Sequence, residues 1–313
     1  MDREKIKPSD NLRELIPTFE FSDNSEKLNL SDFERILNKT FKEFSVVSNG
    51  GSGNASFILT DKNERQSFLK YRTHESIPWN SQRDKIFEDY EKDSISWIYR
   101  RKNGSWFCKE LFSREATVLE NWNQIGLPSP QLIQSDYSNY LLLEFFPQAE
   151  TVASMISRDR SPRLINGLLD TLKQYREFAN GTKNMDNIHM DLHLENILYD
   201  LPSDSFKFID PGVLVKKDLS VAEVDAYANL FFCYTVLSNY FLGESVPQNT
   251  RQTIVSNYVD MLPNGMKNLM QGLNKPTPQY VMDFFSELKW DQKIQWHNSF
   301  SKDKFDLVQH YLK

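Results

Sequence analysis

The sequence has little cysteine, no long apolar run and no excess of positive charge, and each lack argues against a class of function. Only two cysteines, Cys108 and Cys233, occur among 313 residues, without the paired spacing of a zinc site or a disulfide framework. This usage fits a reducing cytoplasm, and the charged first residues lack the apolar segment of a signal peptide. The formal net charge of −6 argues against nucleic acid or an anionic membrane as the main partner.

What is present is enough apolar surface for a folded core. Apolar residues make up 39% and aromatic residues 13% of the chain, which is long enough for one large or two medium domains. The longest apolar stretch, 230–242, is interrupted by polar residues and is too short to span a bilayer. Mild acidity would suit a cationic or polyhydroxy substrate, but it is equally ordinary in a protein without one.

A polar stretch in the second half of the chain carries residues suited to phosphoryl transfer. Asp191 lies in a short loop between apolar segments, Asn196 follows it, and Asp210 comes after a further apolar run. One Asp that accepts a hydroxyl proton, with an Asn and an Asp that hold a metal ion, is the minimum set for transfer from a magnesium nucleotide. The plain alternative is a β-hairpin whose Asp and Asn residues form turns.

A glycine-rich turn lies nearer the start of the chain, between predicted strands. The strands are predicted at 44–47, 57–60 and 67–71. Between the first two lie Gly50, Gly51, Ser52 and Gly53. Backbone N–H groups in such a turn can approach a phosphate without interference from Cβ atoms, although an ordinary hairpin turn has the same composition. Lys70, on the third predicted strand, supports a phosphate-binding interpretation, because an inward lysine on a strand is costly unless it meets an anion. The alternative is a lysine on an edge strand whose side chain reaches solvent.

Together these strings resemble the catalytic loop of the protein-kinase-like superfamily. Protein kinases have His-Arg-Asp-Leu followed by Asn, and then Asp-Phe-Gly. Here the corresponding strings are His189-Met190-Asp191-Leu192 with Asn196, and Asp210-Pro211-Gly212. The order Asp-Leu-His is closer to the aminoglycoside phosphotransferase and choline kinase branch. Pro211 departs from the family pattern, since it fixes φ and removes an N–H.

The resemblance implies an α+β, bilobal protein-kinase-like fold with a small antiparallel-sheet N-lobe and a larger helical C-lobe. Ser31 can cap a helix whose apolar residues Phe33, Ile36, Leu37 and Phe41 fall at helical spacing. An N-terminal extension with this helix (1–42) would precede the nucleotide-binding N-lobe (43–146) and the helical C-lobe with the catalytic loop and acceptor site (147–313). Residues 72–110 would be an N-lobe insertion. They could form a lid, a specificity hairpin, a protein contact or a decoration without a role, and Asn103-Gly104 predicts a hairpin there.

The resemblance also implies roles for N-lobe residues. Lys70 would hold the α and β phosphates, and Glu115, on a helix predicted at 111–125, would pair with it. Glu120 is the alternative acid, and Lys109 is the rival lysine, although it precedes Glu115 by only six residues. An exposed Glu115 paired along its own helix is the plain alternative.

Glu144 and Phe146 come at the end of a predicted strand, 140–147, that resembles the connection between the two lobes. Their backbone groups would contact the adenine of the nucleotide. The resemblance further implies that His189 braces the loop, while His193 would help to place substrate or phosphate.

Asp225 favours one branch of the family. It lies on an apolar helix predicted at 221–242 and resembles the Asp that braces the catalytic loop from the central helix. It follows Asp210 by only fifteen residues, which leaves no room for the long activation segment and Ala-Pro-Glu motif of protein kinases. The spacing therefore favours a small-molecule kinase.

The resulting hypothesis is an ATP-dependent phosphotransferase that moves the γ-phosphoryl group of Mg-ATP to a hydroxyl of an aminoglycoside, sugar or amino alcohol. Asp191 would be the base, and Asn196 and Asp210 would bind Mg²⁺. One alternative is an atypical protein kinase. Another is a non-catalytic, pseudokinase-like binding module that contacts a partner protein through 72–110.

Overall fold

The structure is a computed structural model that forms two compact units. It describes residues 5–6, 34, 37–48, 54–72, 76–78, 101–102, 105–136, 140–184, 187–189, 191–211, 220–238, 246–272 and 302–313. The described residues of Met1–Asn80, Tyr99–Asn123 and Pro130–Pro147 form the first unit, named the sheet unit. Those of Gln124–Ser129 and Gln148–Lys313 form the second, named the helical unit.

The sheet unit is built on antiparallel strands. They are β1 Lys5–Ile6, β2 Phe41–Ser48, β3 Asn54–Asp61, β4 Gln66–Arg72, β5 Ser76–Pro78, β6 Arg101–Lys102, β7 Ser105–Phe107, β8 Leu132–Ser135 and β9 Tyr140–Glu144. The main sheet has the order β1-β2-β3-β4-β9-β8. Phe57, Ile58 and Leu59 of β3 are all buried, so this strand is covered on both faces. The three strands predicted around the glycine-rich turn are therefore confirmed, each longer than predicted.

Residues of the predicted insertion form a small sheet of their own with the order β5-β7-β6. Arg101 pairs with Trp106 and Lys102 with Ser105, so a two-residue connection joins β6 to β7. This pairing confirms the hairpin predicted at Asn103-Gly104. The insertion's residues 79–100 lie outside the described ranges.

Helix α1 extends over Cys108–Ile125. Val118, Leu119 and Trp122 are buried, as their helical spacing predicts. Ile125, which has the same spacing, is 52% exposed. The helix ends at this residue, and Gly126 turns the chain with a φ of 76°, a left-handed conformation that glycine adopts without a steric penalty.

The helix expected in the N-terminal extension ends earlier than its apolar spacing indicates. Glu34 and Leu37 are helical, but Asn38 has a φ of 48°, which ends the helix, and Phe41 begins β2. The Glu34 carboxylate accepts a hydrogen bond from the Phe41 N–H (2.8 Å), so the acid ties the helix to the strand. Inclusion of Phe41 in the predicted helix is therefore wrong.

The helical unit contains a short three-stranded sheet and six helices within its described ranges. The strands are β10 Ala149–Thr151, β11 Ile197–Asp200 and β12 Ser205–Phe208. The helices are α2 Val152–Arg158, α3 Pro162–Gly181, α4 Val221–Ser238, α5 Gln248–Asp260, α6 Asn264–Gly272 and α7 Lys302–Tyr311. Helix α4 is buried on nearly all sides, at positions that include Val224, Ala226, Phe232, Cys233 and Val236. A buried central helix was predicted here, and its expected continuation to 242 lies outside the described ranges.

Local sequence determines where helix α3 begins. The Ser161 hydroxyl accepts a hydrogen bond from the Leu164 N–H, and Pro162 occupies the first turn of α3. Helix α3 packs so closely on β12 that a Cβ at Gly167 would lie 2.9 Å from the Phe206 ring. This contact brings α3 beside the hairpin that follows the predicted catalytic loop.

The α+β class is confirmed, with an antiparallel sheet that comes first and a larger, mostly helical part that follows. Across the described ranges, every helix falls short of the length and apolar character needed to cross a membrane.

Candidate active site

The predicted catalytic loop leads into the β11–β12 hairpin of the helical unit. A 3₁₀ turn forms at Leu194–Asn196, and the Asn196 N–H donates to the His193 carbonyl oxygen (2.9 Å). Leu192 and Leu194 are buried and alternate with more polar neighbours. The apolar side chains therefore anchor the loop in the core and hold its polar residues at fixed positions.

Asp191 and Asn196 are in direct contact. The Asn196 Nδ2 donates to the backbone oxygen of Asp191 (2.9 Å) and to its Oδ2 (3.1 Å). Asn196 is buried, whereas the Asp191 side chain is 42% exposed. One amide therefore fixes the direction of a carboxylate that remains open to solvent.

The same contacts determine the orientation of the Asn196 amide. Both of its partners on Asp191 are acceptor oxygens, so the amide nitrogen must face them and Oδ1 must face away. Within the described ranges, no hydrogen bond to Oδ1 is present. This oxygen is therefore oriented to meet a group that the protein's described residues do not supply.

His193 approaches the other oxygen of the same carboxylate. Its Nε2 lies 3.5 Å from the Asp191 Oδ1, and its ring packs edge-on against Phe231 of α4 (6.2 Å between centroids). The two carboxylate oxygens of Asp191 thus face different side chains, Asn196 at Oδ2 and His193 at Oδ1.

His189 connects the loop to the strand that leads to Asp210. Its ring is buried, and Nε2 lies 3.0 Å from the Ile209 carbonyl oxygen. Because a carbonyl can only accept, Nε2 carries the proton in this contact. Burial lowers the pKa of His189 to about 3, so the ring is neutral near pH 7. These observations favour a structural role for His189, as a brace of the loop, over a role as a proton carrier.

Asp210 follows β12 in a conformation that is uncommon for a residue with a side chain. Its φ is 53°, and buried Pro211 comes next. The left-handed region costs a non-glycine residue about 1–2 kcal/mol, and such conformations cluster at functional sites. The preceding residue, Ile209, donates its N–H to the Asn196 carbonyl oxygen (3.0 Å), so this segment lies beside the loop.

Asn196 and Asp210 carry donor atoms of the kinds that Mg²⁺ binds. Asn196 offers an amide oxygen turned away from Asp191, and Asp210 offers an exposed carboxylate. Hard divalent cations bind oxygen atoms of these two kinds, and Mg²⁺ completes its shell with water and substrate oxygens. The backbone hydrogen bond between Ile209 and Asn196 holds the two candidate ligands on adjacent segments.

A second cluster lies in the sheet unit. The Lys70 Nζ donates to the Glu115 Oε1 at 2.7 Å, and the two side chains are only 14% and 12% exposed. Lys70 lies on β4, and Glu115 lies on α1, forty-five residues later in the chain. The structure therefore brings together the pair that the resemblance implied.

The observed pair argues against the alternatives for Lys70 and Glu115. Glu115 is buried and paired across the unit, so it is not an exposed acid paired only along its own helix. Lys109 lies on α1 itself, the helix that carries Glu115, and not at the end of a strand. Glu120, the alternative acid, lies five residues further along α1.

The other predicted nucleotide-binding residues are only partly described. The glycine-rich turn, Gly50, Gly51, Ser52 and Gly53, lies outside the described ranges, while the strands on either side of it are antiparallel neighbours. Glu144 is the last residue of β9, and its backbone N–H donates to the Gln131 carbonyl oxygen (2.9 Å). Phe146 lies two residues beyond the strand. Their contacts with adenine stay a prediction.

Asp225 forms a buried ion pair that the resemblance did not imply. Its two carboxylate oxygens accept hydrogen bonds from Arg176 of α3 (2.6 and 2.7 Å), and both residues are buried. None of the described loop residues forms a hydrogen bond or ion pair with it. Burial works against the charge of Arg176, but Tyr258 and Asp225 outweigh it and raise the pKa of the guanidinium above its ordinary value.

Arg176 was not identified from the sequence, although a signal for it exists. It interrupts the apolar face of α3, just as Asp225 interrupts the apolar helix α4. Two opposite charges within apolar segments are a sign of a buried pair, because neither is stable there alone.

Comparison with known proteins adds distant structural likeness only. No protein-family model and no curated protein matches the sequence. The chain is similar to the MAP kinase LmaMPK10 from Leishmania major, at 15% identity and a TM-score of 0.39, with 91% of this chain and 81% of that chain covered. It is also similar to the choline kinase LicA from Streptococcus pneumoniae, at 12% identity and a TM-score of 0.38, with 90% and 96% covered. Both of these structures are kinases.

Proposed function

We propose that this protein is an ATP-dependent phosphotransferase that moves the γ-phosphoryl group of Mg-ATP to a hydroxyl group of a small molecule. The observation that carries the proposal is the Asp191–Asn196 pair, in which a 42% exposed carboxylate is held by an amide whose oxygen faces away. This arrangement supplies a proton acceptor and a ligand atom for a hard cation within one short loop. The Lys70–Glu115 pair supports the proposal independently.

In the proposed reaction, Asp191 orients the acceptor hydroxyl and takes its proton. The hydroxyl oxygen forms a bond to the γ-phosphorus as the bond from that phosphorus to the β–γ bridging oxygen breaks, and ADP leaves. The hydrogen bonds from Asn196 hold Asp191 in one direction, so that the base meets the hydroxyl in a single geometry.

Other residues of the chain would bind the nucleotide and its metal. Asn196 and Asp210 would hold Mg²⁺, which supplies charge neutralisation at the phosphate oxygens when it is bound. Lys70 would add a positive charge to the phosphates, and Glu115 would keep its Nζ at one position. Backbone N–H groups of the glycine-rich turn would also bind phosphate, and the backbone of Glu144 and Phe146 would contact adenine.

The acceptor is proposed to be an aminoglycoside, a sugar or an amino alcohol. The support is the short span from Asp210 to Asp225, which leaves too few residues for a peptide-docking segment. A cytoplasmic location is part of the proposal, and the buried free thiol of Cys233 is consistent with it. Residues 72–110, with the separate sheet β5–β7, are proposed as a contact for a partner protein.

The first test is the thermal stability of the protein with and without Mg-ATP. Wild type should gain stability from the magnesium nucleotide, and Asp210→Ala should lose most of this gain because it lacks a metal ligand. Asp170→Ala is the matched control, since Asp170 is an exposed acid on α3 of the same unit. A wild type that shows no Mg-dependent gain would contradict the proposal and favour a non-catalytic binding module.

The second test follows label from γ-labelled ATP into sugars, amino alcohols, aminoglycosides and a cell lysate. We expect label on a small molecule and a fall in rate of about 10²–10⁴-fold in Asp191→Asn, the range for loss of a general base. Asp170→Ala should transfer label at the wild-type rate. Label that appears only on proteins would favour the atypical protein kinase and reject the small-molecule acceptor.

A further inference from the structure

Tyr175 touches both segments that carry the proposed catalytic groups. Its hydroxyl accepts a hydrogen bond from the His189 backbone N–H (2.8 Å), two residues before Asp191. Its ring packs against Phe208 (5.3 Å between centroids), two residues before Asp210. One buried side chain of α3 therefore contacts the chain just before the proposed base and just before the proposed metal ligand.

Helix α3 is itself anchored next to this side chain. Arg176, the following residue, binds Asp225 of α4 through both carboxylate oxygens (2.6 and 2.7 Å). The Arg176 guanidinium carbon also lies 5.8 Å from the centroid of the Tyr175 ring. The backbone of α3 beside Tyr175 is thus held by an ion pair with α4 that does not involve the loop.

We propose that Tyr175 is a positioning residue for the phosphotransferase reaction, whose hydroxyl fixes the backbone at His189 and through it the direction of Asp191. The inference rests on the proposed function. The His189 N–H is in a buried segment, where a backbone donor needs an acceptor. Loss of the hydroxyl removes the acceptor of this N–H and favours a shift of the loop. A shift of about 1 Å in a reacting group can cost about 100-fold in rate.

The test compares Tyr175→Phe with Tyr258→Phe. Tyr258 is also buried in the helical unit, and its hydroxyl donates to the Asn229 Oδ1 of α4 (2.6 Å). Each variant loses one buried hydroxyl that is hydrogen-bonded, but the hydroxyl of Tyr258 bonds a side chain of α4, whereas that of Tyr175 bonds the loop backbone. The control therefore reproduces the loss of stability without the proposed loss of positioning.

We expect Tyr175→Phe to lower kcat by about 10-fold or more, with KM for ATP within about twofold of wild type, the signature of a lost transition-state interaction. Tyr258→Phe should keep kcat within about twofold of wild type, although its Tm should fall by about as much as the Tm of Tyr175→Phe. An unchanged kcat in Tyr175→Phe, or equal falls in both variants, would overturn the inference.

Hydrogen exchange at the His189 amide gives a readout that needs no activity. The amide should exchange slowly in wild type, and faster in Tyr175→Phe than in Tyr258→Phe. Fast exchange in folded wild type would overturn the inference even if Tyr175→Phe does not fold. A wild type with a slow His189 amide but no phosphoryl transfer would instead reject the proposed function, so the two failures are distinguishable.

Discussion

Replacement of Glu115 by Gln should lower the free energy of unfolding by about 2 kcal/mol, because it removes the carboxylate that forms a half-buried ion pair with Lys70. The Lys70 Nζ lies 2.7 Å from the Glu115 Oε1, and the side chains are 14% and 12% exposed. Loss of one partner of a fully buried pair costs about 3–5 kcal/mol, whereas exposed pairs contribute about 0–1 kcal/mol. The remaining exposure of this pair places the expected loss between these ranges.

A double-mutant cycle measures this coupling directly. Wild type, Glu115→Gln, Lys70→Met and the double variant would be unfolded in urea, with unfolding followed by circular dichroism. We expect the double variant to be more stable than the sum of the single losses predicts, by about 2 kcal/mol, since neither charge remains unpaired. Losses that add to within about 0.5 kcal/mol would refute the reasoning.

The chain offers a matched control pair with the same chemistry. Lys42 and Glu64 also form an ion pair in the sheet unit, but their side chains are 53% and 66% exposed. The same cycle on this pair should show no measurable coupling, because water screens both charges. Equal coupling in the two cycles would mean that burial is not the cause of the effect.

Two further predictions concern the helical unit. Asp225→Asn should lower the free energy of unfolding, measured in urea, by about 3–5 kcal/mol, because Arg176 stays charged and buried. The double variant Arg176→Met with Asp225→Leu should regain part of the lost stability. A loss below about 1 kcal/mol in Asp225→Asn would contradict the buried pair. His189 has a folded pKa of about 3, below the 6.5 of the unfolded chain, so its stabilising contribution is present above pH 6.5 and declines as the pH falls. Between pH 7 and pH 5 the stability advantage of wild type over His189→Gln should therefore shrink by about 2 kcal/mol, and a constant difference would show that His189 titrates normally.

Local patterns predicted the secondary structure well where the signal is local. The strands around the glycine-rich turn, the hairpin at Asn103-Gly104 and helix α1 follow from alternation, turn residues and helical spacing. The errors fall at element ends. Phe41 and Ile125 both have helical spacing, but a positive φ at Asn38 and the end of α1 at Gly126 place them in other environments.

Contacts between residues that are distant in sequence could not be predicted from local patterns. Periodicity alone does not connect Lys70 to Glu115, and only the family resemblance suggested that pair. For Asp225 the resemblance implied a contact with the loop, whereas its described hydrogen bonds go to Arg176 and Asn229. The choice of partner depends on which helices pack together, and that information is not contained in either segment alone.

The sequence by itself determined the proposed chemistry of the loop. Asp191 lies five residues before Asn196, the last residue of a 3₁₀ turn, so their contact follows from local chain geometry. Only the tertiary structure decided how that loop is held. Tyr175 and His189 meet because α3 packs against the β11–β12 hairpin, and Arg176 meets Asp225 because α3 also packs against α4. A buried polar group must find a partner nearby, and packing between distant elements decides which partner that is.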